Sequence, residues 1–410
     1  MILRWFFSRT VRQAFDLIKQ VRKHVDAQRD QLDAKALDEI TAAGDALRKL
    51  VGEGADKAAL KAGMTHFEHV AGSRLLSYPR AEIREYVEMA LVVITVVLAF
   101  RAFFFQPFTI PTGSMQPTLY GITHQDLRDK AESKVPAGWE RFVDRWGRGI
   151  QYVHVVAETD GEVNAIESPQ RVLLFLRKQR FRVGDRWYTV WFPPDQLLPG
   201  RSSSGDTSGN RAGLRFGQSY RKGDDLIKVA VKTGDYLFVD RLTYNFRKPA
   251  RGDIVVFETT GITGSAERPD LRPAANTFYI KRLIATGNES VRIGNDRHLR
   301  INGERLDAAT PRFEFVYGFQ AKQPPRDSHY SGHVNQLVAT QNDRGNLAYL
   351  FRDETSLFTV RPEHCLAFGD NTMNSLDSRS WGDFPEANII GKSAFVYWPI
   401  LSGRFGWNHR

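Results

Sequence analysis

The sequence predicts a mainly β body preceded by N-terminal helices and one transmembrane helix, and three observations lead there. Residues 1–84 carry helical hydrophobic spacing with few β-branched clusters and no hairpin signal. The run MALVVITVVLAF from Met89 to Phe100 holds no charge. Beyond it the texture changes to short apolar runs broken by Gly, Asn and Pro, which is how strands and turns read.

In the N-terminal region, Val11, Ile18, Val25 and Leu32 recur every seven residues, and Ile40, Leu47 and Leu50 continue the stripe after a phase shift. Such spacing gathers apolar side chains on one helix face. A helical pair with one buried seam is the simplest reading, and a partner-binding coiled coil is the alternative. The next segment, 85–105, is the transmembrane helix. Tyr86–Phe105 as a helix would be roughly 30 Å long, the thickness of a bilayer core. Glu88 and Arg101 lie near its two ends, where long side chains reach the headgroups. A buried core helix competes with this reading, because the uncharged run is short; a cleavable leader does not, because the run starts too far from the N-terminus. Arg74, Arg80 and Arg84 precede the span and few basic residues besides Arg101 follow it closely. The positive-inside tendency then places residues 1–84 in the cytoplasm and 106–410 on the far side.

Past the span, YLFVDRL, DIVVF, FYIKRLI and SAFVYWP read as strands, and HLRI-NG-ERL as a hairpin about the two-residue turn Asn302-Gly303. The Ser/Gly/Asn/Arg-rich tract within 199–217 reads as a loop or linker.

Bulk properties exclude rather than identify. The 410 residues carry a formal charge of +10, which suits a phosphate backbone and an anionic lipid surface equally. A nucleic-acid platform would interleave aromatics with arginines, and only residues 122–231 hint at that, so no nucleic-acid partner is expected. The single cysteine, Cys365, excludes an intrachain disulfide framework. No metal-ligand spacing and no phosphate-cradling glycine loop stands out, so no cofactor and no metal are expected.

Three separated segments carry chemistry. QPFTIPTGSMQPTL, 106–119, stiffens the backbone with Pro107, Pro111 and Pro117 around a Thr112-Gly113-Ser114 turn. Gly113 allows close backbone approach beside the serine, but a hydroxyl is inert unless a base takes its proton. The second segment, Phe278–Ile284, supplies one. On a strand, Tyr279, Lys281 and Leu283 share a face, which places the Lys281 amine among apolar neighbours while Arg282 points the other way. To act near neutrality the amine must fall from about 10.4 to about 7–8, which costs on the order of 4 kcal/mol and is within reach of a dry pocket. The third segment, FGDNTMNSLDSRSWG at 368–382, is polar and rich in turn formers. It places Asp377 and Arg379 to form an ion pair and Ser375 to meet Lys281. A serine turn or a strand lysine by itself is ordinary; together in order they are not.

These segments resemble the type I signal peptidases, membrane-bound Ser/Lys leader peptidases. The resemblance runs over about Glu85–Gly121 and Gly234–Pro399 except near 305–360. It rests on IPTGSMQPTL, GDYLFVDRLTY, RGDIVVF, YIKRLI and the GDN..NS.DSR.WG loop. It implies a signal-peptidase-like β fold for a catalytic region made of 106–121, 232–304 and 362–400. It further implies Ser114 as nucleophile and Lys281 as general base, with the Ser114 N–H and the Thr112 hydroxyl as oxyanion donors. Ser375 would orient Lys281, and Asp377 and Arg379 would support the site. The implied activity is serine-endopeptidase removal of signal peptides from exported preproteins at the membrane surface, with preproteins and the bilayer as partners.

Departures are local. Thr112 stands where many members have serine, Ala285–Glu289 differs from the usual turn after the lysine, and Thr372-Met373 replaces a frequent Arg-Asp pair. Residues 122–231 are an insertion with strand-like runs QYVHVV, RVLLFL and DRWYTVWF and a basic stretch at 177–186. They read as a small β module, either a solvated decoration or a contact to anionic lipid or to the translocation machinery. Residues 305–361 read as a second β subdomain or variable insertion. Two rival readings remain, a self-cleaving Ser/Lys protease of the SOS-repressor type and a non-catalytic membrane-anchored scaffold. The span argues against the first, and the presence of both Ser114 and Lys281 against the second.

Overall fold

The computed structural model describes residues 8–76, 81–128, 135–172, 176–194, 197–198, 210–264, 267–318, 332–342 and 345–407. The chain divides into two compact units, Met1–Val96 and Val97–Arg410. Arg80, most of the tract at 199–217 and the middle of RVLLFL lie outside the described residues.

The first unit holds α1 (Arg9–Gln28), α2 (Ala34–Glu53) and α3 (Lys57–Arg74). Ser8, Asp33 and Asp56 each cap a helix by accepting the N–H three residues on. Val11, Ile18, Ile40 and Leu47 lie in the shared core as their spacing requires, joined by Leu60, Phe67 and Ala71 of α3. The sequence suggested a pair; a third helix completes the core. Gly54, at φ 82, ends α2 in the left-handed conformation, and Asp56 restarts the chain as α3. Leu32 sits in the α1–α2 turn rather than on the seam.

α4 (Ala81–Phe103) contains one stretch, Ile83–Phe103, long and apolar enough to cross a membrane, with a mean hydropathy of 2.0 and none of it buried. The expected end at 105 is corrected. Phe105 already pairs with Asp240 across a sheet, so ladder hydrogen bonds end the helix at Phe103.

In the second unit, β1 (Phe105–Thr109) leads into the 112–119 turn, and β2 (Thr123–Asp126) opens the insertion. There follow α5 (Gly138–Val143), β3 (Ile150–Val156), β4 (Gly161–Ile166), β5 (Gln170–Arg171), β6 (Arg177–Val183), β7 (Arg186–Trp191), β8 (Ser219–Tyr220) and β9 (Asp225–Lys232). β9 lies between β2 and β3; β4, β5, β6 and β8 form a second sheet, to which β7 adds as the hairpin partner of β6. Alternation buries Val153, Phe181, Val183, Ile227 and Val229 in a core belonging to the insertion itself.

The chain returns through β10 (Tyr236–Asp240), β11 (Ile254–Glu258) and β12 (Phe278–Thr286), then β13 (Ser290–Ile293), β14 (Leu299–Ile301) and β15 (Glu304–Arg305). After α6 (Glu314–Tyr317) and α7 (Gln336–Thr340) come β16 (Phe358–Thr359), β17 (His364–Phe368), α8 (Ser378–Trp381), β18 (Phe384–Pro385) and β19 (Ile389–Trp398). The main sheet runs β1-β10-β19-β11-β12-β17-β18, and a smaller one runs β15-β14-β13-β16. Asn302 and Gly303 take positive φ (52° and 90°), the geometry of the two-residue turn read from the sequence. Among the described residues, 305–361 hold two short helices and the short strand β16, which joins the smaller sheet. The helices form where Phe313, Val316 and Tyr317 face the core at helical spacing and where Asn335 caps Val338 N–H.

One close approach sets the base of the 112–119 turn. Ile110 N–H donates to Asp235 O, and Asp235 N–H to Tyr120 O, while the buried Asp235 carboxylate takes the Tyr120 N–H and Arg404. A Cβ on Gly234 would sit 1.8 Å from Ile110 O. Gly234→Ala should therefore lower stability by about 3 kcal/mol, measured by thermal unfolding of the purified chain.

Candidate active site

β12 is an inner strand, flanked by β11 and β17, so both its edges are paired. Lys281 pairs with Val255, and its face is lined by Val255, Phe257, Leu283, Ala367 and Trp381. The side chain is only 4% exposed. Burial lowers its pKa to about 8; the Asp377 charge acts the opposite way, and Arg379 adds to the lowering.

Met115 and Leu119 plug fully into the core against Leu237, Val239 and Val256, which leaves Ser114 at the rim of a one-turn 3₁₀ segment, Gly113–Met115. Lys281 Nζ donates to Ser114 Oγ at 2.6 Å. The late loop holds the turn from behind: Asn371 N–H donates to Ser114 O at 3.0 Å and Asn371 Nδ2 to Gly113 O at 2.9 Å. The Ser114 N–H makes no hydrogen bond among the described residues. The Thr112 hydroxyl donates to Ser114 Oγ at 3.5 Å, at the long limit of such a bond.

Asp377 and Arg379 form a two-pronged ion pair, both contacts 2.9 Å and both side chains fully buried. Burial opposes ionisation of Asp377, but Arg379 outweighs it and the carboxyl titrates below its usual range. Asp377 also accepts the Gly369 N–H at 2.9 Å, which fixes the loop beside Ser114. Ser375 departs from expectation. Its buried Oγ has no hydrogen-bond partner among the described residues and so does not bond Lys281. It packs on Gly369, where a Cβ would meet Ser375 Oγ at 2.2 Å and Ser114 O at 2.5 Å. Its backbone is held there by Arg379, which donates to Ser375 O.

The departures have partners of their own. Thr372 Oγ1 accepts from Arg379 Nη1 at 2.8 Å and from Val334 N–H at 2.9 Å, and Met373 packs with Val334, Val338 and Ala339. In the turn after β12, Glu289 accepts the Thr286 N–H at 2.8 Å and pairs with Arg251.

A second buried ion pair escaped the sequence reading. Arg282 donates to Asp370 through Nε at 2.8 Å and Nη2 at 2.6 Å, and to the Gly252 and Arg312 carbonyls. Both residues are fully buried, and Thr118 Oγ1 donates to Asp370. Alternation placed Arg282 opposite Lys281; the GDN run held Asp370, the one available signal for its partner.

A serine hydroxyl against a buried amine, on a β body that follows an apolar helix, is the arrangement of the Ser/Lys class. The family described as "Signal peptidase, peptidase S26" matches residues 83–128 and 224–398, and the chain belongs to it. The unmatched stretch between these blocks falls within the insertion. Signal peptidase I of Leptolyngbya laminosa is 28% identical over 170 residues, covering 42% of this chain and 63% of that one. Signal peptidase I of Pseudomonas aeruginosa is 27% identical over 202 residues, covering 42% and 61%. The thylakoidal processing peptidase 1 of Arabidopsis thaliana is 26% identical over 166 residues, covering 40% and 37%. The matched stretch thus spans less than two thirds of each relative's length.

Proposed function

We propose that this chain is a membrane-bound serine endopeptidase that removes signal peptides from preproteins. The observation that carries the reading is the 2.6 Å contact between the buried Lys281 amine and Ser114 Oγ. In the reactive state Lys281 is neutral and takes the Ser114 proton as Oγ attacks the scissile carbonyl. The oxygen of the tetrahedral intermediate is met by the Ser114 N–H, whose hydrogen is uncommitted, and by the Thr112 hydroxyl once it turns from Ser114. A donor of this kind is worth roughly 3 kcal/mol. Lys281 returns the proton to the leaving amine, and the acyl-enzyme is hydrolysed by a water that Lys281 activates. Asp377 and Arg379 keep the late loop on the turn, and Ser375 fills the space beside Gly369.

The substrate would lie extended along a sheet edge with small residues, Ala-x-Ala, before the cut. Its apolar segment would remain in the bilayer that α4 crosses, with residues 1–84 in the cytoplasm and the β body outside. Purified full-length protein in detergent should cleave a preprotein at such a site. Ser114→Ala should reduce the rate by about 10⁴-fold or more. Undiminished cleavage by that variant would remove Ser114 from the reaction.

A further inference from the structure

The insertion carries a surface that the peptidase chemistry does not use. α5 and the turn after it, residues 138–148, expose Trp139, Phe142 and Trp146 at 75%, 52% and 60%. Spacings of three and four residues place the rings on one helical face, and Arg141, Arg145 and Arg148 follow the same spacing beside them. Ring centroids stand 5.1 Å apart for Trp139–Phe142 and 6.5 Å for Phe142–Trp146.

This stretch is held in place. Asp144, buried, accepts from Arg148 Nη1 and Tyr152 Oη, both at 2.8 Å. Trp398 Nε1 donates to Trp146 O at 2.8 Å, and Leu401 N–H to Gly147 O at 2.9 Å. Three large rings fixed in water on a well-tied element mark a contact surface.

Its neighbours indicate the contact. From Phe100, near the end of α4, rings succeed one another along β1, β10 and β19. Phe105 stands 5.9 Å from Phe100 and Phe238 6.4 Å from Phe105. Tyr397 is 4.5 Å from Phe238, Tyr236 5.9 Å from Tyr397, and Trp398 5.0 Å from Tyr236. The row of rings thus runs from the end of the helix suited to a bilayer to Trp398, whose indole holds the backbone of Trp146 in the exposed stretch. Arginines beside amphipathic rings match the phosphates and acyl boundary of a membrane surface. Of the two acids on the stretch, Asp144 is turned inward and paired with Arg148, leaving Glu140 against Arg141 and Arg145.

We infer that residues 138–148 lie on the bilayer surface. Trp139, Phe142 and Trp146 sit at the headgroup–acyl boundary and Arg141 and Arg145 face lipid phosphates, a second contact to the membrane in which α4 is anchored. This rests on the bilayer reading of α4 and not on the peptidase chemistry, so it is tested without substrate. The full chain is placed in nanodiscs whose phospholipid is brominated high on the acyl chain, and tryptophan fluorescence is compared with unbrominated discs. Wild type should be quenched, and Trp139→Phe with Trp146→Phe should lose the larger part of that quenching. Trp187→Phe with Trp191→Phe, on β7, should keep it. Equal quenching of wild type and the 139/146 variant would overturn the inference and leave a protein as the occupant of this face.

Discussion

Lys281→Met should give a protein that is inactive and more stable than wild type. Methionine keeps the length and apolar contacts of the side chain among Val255, Leu283 and Trp381 but carries no amine. Cleavage should fall by about 10⁴-fold or more, since the base in contact with Ser114 is gone. Stability moves the other way. Burial lowers the folded-state pKa of Lys281 to about 8 from the ordinary lysine value of 10.5. The unfolded chain therefore binds the proton more tightly, and folding at neutral pH is penalised by about 3 kcal/mol. As pH rises from about 8 toward 10.5 the unfolded state holds more protons and wild type gains stability, so the advantage of the Met variant should shrink over that window. Thermal unfolding at pH 7 and above pH 9, with a cleavage assay alongside, checks both halves. Lys281→Arg separates charge from basicity: it keeps a cation but should be as inactive as Met, because a guanidinium does not give up its proton.

Breaking the Arg282–Asp370 pair should produce the largest loss of stability. Either residue alone is a charge with no exposure to water. Asp370→Ala leaves the Arg282 guanidinium with only the carbonyls of Gly252 and Arg312 and a distant Thr118 hydroxyl. The expected cost is about 3–5 kcal/mol, a drop in melting temperature on the order of 10 °C. Replacing both charges, Arg282→Met with Asp370→Leu, should recover part of that loss, because no lone charge remains buried. Activity should not recover in step. Asp370 lies between Gly369, whose N–H is held by Asp377, and Asn371, whose backbone and side chain hold the Ser114 turn.

The difference between Lys281 and Arg282 shows what a sequence can and cannot disclose about this site. Strand alternation is local, so Tyr279, Lys281 and Leu283 could be put on one face from spacing alone. Whether the other face of β12 meets water depends on what packs there. Phe313 and Phe351, far along the chain, close it and bury Arg282 with Asp370. The same limit explains the region after β15. Phe313, Val316 and Tyr317 form an apolar cluster in a short run, which fits a strand or a single helical turn until the core they face is known. Where the Ser375 hydroxyl points depends on its packing against Gly369, which neither order nor spacing discloses. The α4 boundary failed for a related reason. Phe104 and Phe105 are as apolar as the helix, and only pairing with β10 removes Phe105 from it.

The central claim is that a desolvated Lys281 titrates close to neutrality and serves as the base for Ser114. The pH dependence of kcat/KM for preprotein cleavage reports ionisations of the free enzyme. The rate should rise with pH along a limb whose midpoint lies near the Lys281 value of about 8. A limb centred near about 10.4, where a solvated lysine titrates, or a rate that does not change between pH 6 and 9, would contradict the assignment.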